Sequence, residues 1–269
     1  MIIVPNLGIG DIIIWKIYSH YYNIEIDTIY IKQKIVETYR SHPKEYMEFI
    51  NYLFSKLFPT AKLFTVNEFN MIEFSKSSET STPDKLFTKI QNTYLFNTIK
   101  FNMIYNIQYT NYIIFHTKLR LTQYGYSLFN ENMLYIFFSH FQTTKQIILI
   151  GEQEIDDNLE NKIHGIKSIY GLLKLLHNNN NVIDLTKPTI HNSNSIDEFE
   201  RDAQLINGAK CNISLGIGGN FVLSSAFAKL TIGFAHPSES YYIEKMNSDT
   251  VKISSTVPDL IELINTYAS

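Results

Sequence analysis

The feature that most constrains the fold is a glycine-rich turn between an apolar strand and a helix rich in small residues, in the segment ISLGIGGNFVLSSAFAKLTIGF (213–234). The pattern predicts a strand at Asn212–Leu215, a helix at Asn220–Leu230 and a second strand at Thr231–Phe234. Glycine lets a ligand approach the backbone closely, and a helix start offers N–H groups to an anion. The turn is therefore a candidate phosphate site, although glycines also serve simply to make a tight connection.

A second unit of the same kind stands at the N-terminus. The apolar run Met1–Val4 is followed by PNLGIGD and then by an amphipathic helix at Ile12–Tyr22. Asp11 falls at the start of this helix, where a carboxylate either caps backbone N–H groups or acts as a base at the mouth of a cleft. Taken alone, the residues favour the cap.

Strand and helix patterns alternate along the whole chain, which predicts an α/β fold with parallel sheets and helical crossovers. The remaining predicted strands are Asp27–Ile31, Ala61–Val66, Asn111–Phe115, Gln146–Ile150, Val182–Leu185 and Thr250–Ile253. The remaining predicted helices are Lys44–Phe58, Lys85–Ile90, Asn130–Phe141, Glu160–Leu176, Ile196–Ala209 and Pro258–Tyr267. The helix at Ile196–Ala209 carries acidic residues in its first turns, as the helix macrodipole favours.

The chain divides near Asn106–Thr110 into two sets of elements, each with its own glycine turn. This favours two Rossmann-like domains facing a cleft, with residues 1–108 forming the N-terminal domain and residues 109–269 the C-terminal domain. A single doubly wound sheet is the structural alternative.

Composition excludes several classes of function. The 269 residues are 45% hydrophobic and 18% charged, with a net charge of −3, so nothing in the charge favours a nucleic acid or an anionic membrane as a partner. Cys211 is the only cysteine, which excludes an intrachain disulfide and a multi-cysteine zinc site. No apolar run reaches the length of a membrane span and no signal peptide is visible, so we expect a soluble, cytoplasmic protein.

The second half resembles the C-terminal half of the heptosyltransferase-like GT-B glycosyltransferases. The resemblance rests on the order of NVIDLT, a helix ending in NGA, the strand CNISLG, the glycine turn, an Ala/Ser-rich helix and the strand LTIGF. In the first half, NLGIGDIIIWKI resembles the glycine-aspartate loop and helix of that family. The resemblance covers most of the chain in the order of elements and short patches in residues. At Ile217, Gly218 and Val222, this chain lacks the acidic, hydroxyl and histidine side chains of the family's donor loop.

The resemblance implies roles for particular residues. Asp11 matches the carboxylate that acts as general base on the acceptor hydroxyl, which reverses the preference for a cap. The donor nucleotide sugar is expected to contact the residues that match the family's binding positions. These are His116, Thr117, Lys118, Arg120, Glu152, Gly216, Gly218, Gly219 and Asn220. Lys118 or Arg120 would neutralise the departing diphosphate.

The expected function is transfer of a sugar from a nucleotide sugar to an acceptor hydroxyl by an inverting, metal-independent enzyme. No cofactor is implied, and the acceptor, whether glycan, lipid-linked or protein, stays open. The pair Asp156-Asp157 is more simply a solvated helix start than a metal motif. Two alternatives remain: a GT-B-shaped binding or scaffold protein that has lost donor handling, and another sugar-nucleotide enzyme such as an epimerase. The epimerase would draw its acid and base from His116, His236 and Glu239.

Overall fold

A computed structural model of the chain describes residues 2–3, 8–32, 43–66, 95–116, 131–140, 145–151, 181–186, 196–216, 218–235 and 247–268. Its strands are β1 (Ile2–Ile3), β2 (Thr28–Lys32), β3 (Lys62–Val66), β4 (Tyr112–His116), β5 (Gln146–Ile150), β6 (Val182–Asp184), β7 (Cys211–Ser214), β8 (Thr231–Phe234) and β9 (Val251–Ser254). Its α-helices are α1 (Ile9–Tyr21), α2 (Pro43–Leu57), α3 (Glu131–His140), α4 (Ile196–Gly208), α5 (Gly219–Phe227) and α6 (Val257–Tyr267). A 3₁₀ turn covers Phe96–Thr98.

The predicted alternation of strands and helices is confirmed. Every strand predicted from apolar runs overlaps a described strand, and the predicted helices that fall on described residues are present with ends shifted by a few residues. The predicted helices at Lys85–Ile90 and Glu160–Leu176 lie outside the described residues. All described strand pairs are parallel, so the chain is an α/β protein with parallel sheets and helical crossovers of Rossmann-like character.

The described strands of the first half form a three-stranded sheet in the order β1-β2-β3. Ile29 and Ile31 of β2 are fully buried, and they belong to the same core as the apolar faces of α1 and α2. On α2 that face includes Phe49, Leu53 and Leu57, each within 1% of complete burial. This spacing of four residues is one that places side chains on one face of a helix.

The second half forms a six-stranded sheet in the order β6-β5-β4-β7-β8-β9. Counted from β4 as the first strand of this sheet, the order is 3-2-1-4-5-6, which is the strand order of the Rossmann fold. The chain runs outward from β4 through β5 to β6, and then returns to the other side of β4 to continue through β7, β8 and β9. The direction of the winding therefore reverses between β4 and β7.

Helices cover both faces of the six-stranded sheet. On one face, Phe137 of α3 and Leu260 of α6 pack with alternate strand residues such as Ile113 and Phe115. On the other face, α4 and α5 share a core with the intervening residues, Tyr112 and Ile114. That second core also contains the buried residues of α1, α2 and β2, so the helices of the two sheets pack against each other.

Within the part of the chain that the structure describes, no helix combines the length and hydrophobicity that a bilayer crossing requires.

Candidate functional site

The reversal between β4 and β7 marks the place in the large sheet where a ligand site is expected. In open α/β sheets, ligands bind outside the carboxyl ends of the strands at such a reversal, because the crossovers leave in opposite directions and open a crevice. His116 ends β4 and Ser214 ends β7, and the two residues are partners in the parallel register. The glycine turn follows Ser214 directly, so it lies at this crevice.

The glycine turn leads straight into α5. Ser214 Oγ donates to the carbonyl of Gly216 at 2.9 Å, which holds the beginning of the turn. Gly218 is the N-cap residue of α5, in an extended conformation, and has no side chain with which to cap the helix. The first N–H groups of a helix have no partner within the helix. Gly219 is exposed, while Gly218 and Asn220 are partly exposed, so the N-terminus of α5 is accessible at this edge.

The N-terminus of α1 lies beside the N-terminus of α5. A methyl group built on Gly10 would lie 2.9 Å from Gly219 Cα and 3.8 Å from Val222 Cβ, so the two backbones are nearly in contact. The structure thus brings together the two glycine turns that are 209 positions apart in sequence (Gly10 to Gly219). Each helix start carries a partial positive charge, and two such ends side by side favour an anion more than one does.

Asp11 lies in the first turn of α1 and is partly exposed. Its Oδ2 folds back over Gly8, where an added methyl group would lie 2.8 Å from this oxygen. Because α1 begins at Ile9, Asp11 is the third helical residue, the position from which an acidic side chain reaches back toward the N-cap. The geometry is that of a capping carboxylate, and it also places the carboxylate at the edge where α1 and α5 converge.

Contact with a phosphate requires an accessible side chain, whereas His116 is buried. It is 2% exposed, and its Nε2 lies 2.7 Å from the Oγ of Ser224 in α5. Burial lowers the pKa of His116 to about 4, so the imidazole is neutral at physiological pH. In this position, His116 joins the end of β4 to α5 and brings no positive charge to the crevice.

The other predicted donor contacts lie outside the described residues. These are Thr117, Lys118, Arg120 and Glu152, and the same holds for His236 and Glu239, which were named for the epimerase alternative. Of the residues expected to meet the donor, the structure therefore places His116, Gly216, Gly218, Gly219 and Asn220, all within one region around the start of α5.

Cys211 does not belong to this site. It begins β7, at the opposite end of the strand from the glycine turn, and it is fully buried. Burial raises the pKa of its thiol to about 12, so the thiolate that a nucleophilic role needs is strongly disfavoured. Among the residues that the structure describes, no group of three His, Cys, Asp or Glu is placed to hold a metal ion.

Two contributors to this region were missed by reasoning from the sequence. The sequence indicates Ser224 only as one of the small residues of the helix, and Gly10 as part of the N-terminal glycine-aspartate loop rather than as a contact of α5. The sequence did hold a signal for the second, because Gly8 and Gly10 repeat the spacing of Gly216 and Gly218. Nothing in the sequence pairs Ser224 with a histidine 108 positions away.

Comparison of the chain with protein-family models, with curated proteins and with solved structures gave no match.

Proposed function

We propose that this protein is a glycosyltransferase that moves a sugar from a nucleotide sugar to an acceptor hydroxyl, with inversion and without a metal ion. One observation carries the proposal: the N-termini of α1 and α5 lie side by side. They meet where the strand order of the large sheet reverses, and the first turn of α1 carries Asp11. A diphosphate needs N–H donors and positive potential, and an acceptor hydroxyl needs a nearby base.

In the proposed reaction, the acceptor oxygen attacks the anomeric carbon of the donor. The bond between that carbon and the phosphate oxygen breaks, and its electron pair leaves with the nucleoside diphosphate. Asp11 takes the proton of the acceptor hydroxyl. The N–H groups at the start of α5 stabilise the negative charge that develops on the leaving group. Lys118 or Arg120 would add a positive charge, as the resemblance implies.

The proposal assigns residues 1–108 to the acceptor and residues 109–269 to the nucleotide sugar, as two Rossmann-like domains of GT-B type. The contact between Gly10 and Gly219 bears on where the substrates enter. Because the two backbones meet at these glycines, the substrates must approach α5 from the exposed side of Gly219 rather than between the helices.

The first test is a thermal-shift screen of the purified protein against UDP, GDP, ADP, CMP, dTDP and their common sugars, with and without Mg²⁺. A ligand that binds only the native state raises the unfolding midpoint. We expect one nucleoside diphosphate to do so without metal. Gly219→Leu should abolish the shift by covering the first N–H groups of α5, whereas Gly219→Ala should retain it. A panel that shifts nothing at millimolar concentration, for a well-folded sample, contradicts the proposal.

The second test separates binding from chemistry. With the donor identified by the screen, Asp11→Asn should leave its thermal shift intact and reduce sugar transfer or donor hydrolysis at least a hundredfold, as expected for loss of a general base. Asp249→Asn, at an exposed aspartate outside the site, is the matched control and should retain full activity. Equal activity of the Asp11 and Asp249 variants would refute the role of Asp11.

A second candidate function is favoured by a separate observation. The glycines and His116 have structural roles here: Gly10 permits helix contact, and His116 is neutral and bonded to Ser224. These contacts fit a protein that keeps the fold as a binding or scaffold protein and does not turn over a donor. Nucleotide binding by the unmodified protein with no detectable sugar transfer would favour this candidate.

A further inference from the structure

A fully buried carboxylate lies where α2, α4 and the segment between the two sheets meet. Glu200 lies on α4, has no exposed surface, and accepts three hydrogen bonds. The hydroxyl of Tyr52, on α2, donates to Oε1 at 2.5 Å. The backbone N–H groups of Asn102 and Met103 donate to Oε1 and Oε2 at 2.7 and 2.9 Å. One side chain thus binds a helix of the small sheet and the segment that leads to the large sheet.

The segment 99–110 is held to α4 by a second side chain one turn later. Gln204 Oε1 accepts from the N–H of Tyr105 at 3.0 Å, and Gln204 Nε2 donates to the carbonyl of Met103 at 2.9 Å. The hydroxyl of Tyr105 donates to the carbonyl of Asp197 at 2.9 Å. We call residues 99–110 the connector. In the connector, the N–H groups of Asn102, Met103 and Tyr105 and the carbonyl of Met103 bond to side chains of α4 rather than to the backbone of a strand or helix.

The α2 helix contributes further contacts at the same point. Lys56 Nζ donates to the side-chain oxygen of Asn102 at 2.7 Å. The rings of Phe49 and Tyr52 pack edge-on against Phe199 of α4, with centroids 5.5 and 6.3 Å apart. The pKa of Tyr52 is raised well above its usual range, mainly by burial and secondly by the hydrogen bond to Glu200. Its hydroxyl therefore remains a donor.

We propose that Glu200 is a latch that couples two contacts of α4, so that loss of its bond to α2 weakens its hold on the connector. The reason is that the Oε1 atom of Glu200 serves both Tyr52 and Asn102. A buried carboxylate that loses one donor is left less satisfied, so the local structure that keeps it buried, including the connector, opens more easily.

The test uses hydrogen exchange of connector amides in the full chain. Tyr52→Phe removes one hydroxyl and leaves the N–H groups of Asn102 and Met103 untouched. If the latch couples the two sides, exchange at these amides should rise about tenfold, the factor expected for loss of one buried hydrogen bond. Glu200→Gln should raise it at least as much, and the two changes together should give less than the product of their separate effects.

Tyr112→Phe is the matched control. The Tyr112 hydroxyl is also buried and also donates to α4, at the carbonyl of Leu205 at 2.8 Å, but it does not bond to Glu200. It should leave exchange at Asn102 and Met103 unchanged. Exchange that rises in Glu200→Gln and not in Tyr52→Phe would overturn the coupling, as would equal rises in Tyr52→Phe and Tyr112→Phe. Tyr52→Phe and Tyr112→Phe both keep the aromatic ring, so both are expected to fold.

Discussion

The contact between α1 and α5 predicts opposite effects for two alanine substitutions at the same interface. A methyl group on Gly10 would lie 2.9 Å from Gly219 Cα, closer than real side-chain carbons approach a backbone atom. A methyl group on Gly219 would lie 3.5 Å from Gly10 N and 4.0 Å from Gly10 Cα, which is ordinary contact. Gly10→Ala must therefore push the helices apart, whereas Gly219→Ala fits in place.

The expected magnitudes follow from two opposing effects. Alanine stabilises a helical position by about 0.5–1 kcal/mol relative to glycine, since it restricts the unfolded chain. Overpacking against a backbone that cannot move aside costs about 1–3 kcal/mol. Gly219→Ala should therefore be neutral or stabilising, and Gly10→Ala should lower the free energy of unfolding by about 1–2 kcal/mol. The two variants should differ by roughly 2 kcal/mol, or by about 4–8 °C in midpoint for a chain of this size.

The assay is urea unfolding of both single variants and of the double variant, followed by far-UV circular dichroism with the denaturant slope fitted for each. In the double variant two methyl groups meet, so the loss should exceed the sum of the single effects. Equal stability of Gly10→Ala and Gly219→Ala would refute the reasoning, because it would mean that the two helix starts are not in contact at these glycines.

Three further predictions rest on single contacts. Burial lowers the pKa of His116 to about 4, so the unfolded chain takes up the proton first. The stability that this histidine contributes is complete above about pH 6.5 and is lost as the pH falls toward 4, at up to ~1.4 kcal/mol per pH unit. Urea unfolding of His116→Gln at a series of pH values should show a smaller loss of stability than the unmodified protein over this window. Gly233→Ala should cost about 1–3 kcal/mol in the same assay, because its methyl group would meet the ring of Phe221. Thr256→Ala should lower the free energy of unfolding by about 1 kcal/mol, because the Thr256 side chain caps α6 by accepting from the N–H of Asp259. A Thr256→Ser variant that kept full stability would confirm the cap, and an unchanged unfolding midpoint in the alanine variant would exclude it.

Local pattern determined most of the elements. Short apolar runs located the strands, and amphipathic periodicity located α1 and α2, because burial of one helix face is visible in the sequence. The order of strands was not predictable in the same way. The runs IILI (147–150) and YIIF (112–115) have no alternation of apolar and polar residues, so they predict a buried parallel strand without indicating which strand pairs with it. The reversal at β4 and β7, which defines the candidate site, follows only from the assembled sheet.

The parts of the site that depend on the local backbone could be predicted from the sequence. The contacts between residues far apart in the sequence could not. Glycine turns and Asp11 could be placed at helix starts from sequence, since those features are local. The bond between His116 and Ser224 joins residues 108 positions apart, and its burial converts an expected ligand contact into a neutral structural group. Glu200 was interpreted as one of several acidic residues favoured by the start of its helix. Its burial and its three donors depend on α2 and the connector, which no local pattern brings together.

Two contacts between helices of the two halves of the chain constrain how a transferase built on this chain would work. Asp11 stands on α1 and the proposed diphosphate site stands on α5, so the distance from base to donor is fixed by the contact of Gly10 with Gly219. Glu200 fixes the other side of the same core through Tyr52 and the connector. A reaction that needed the sheets to open widely would have to break both contacts, one of them a buried hydrogen-bonded carboxylate. The geometry therefore favours substrates that bind at an already assembled edge, where orientation is set before binding and costs no reorganisation.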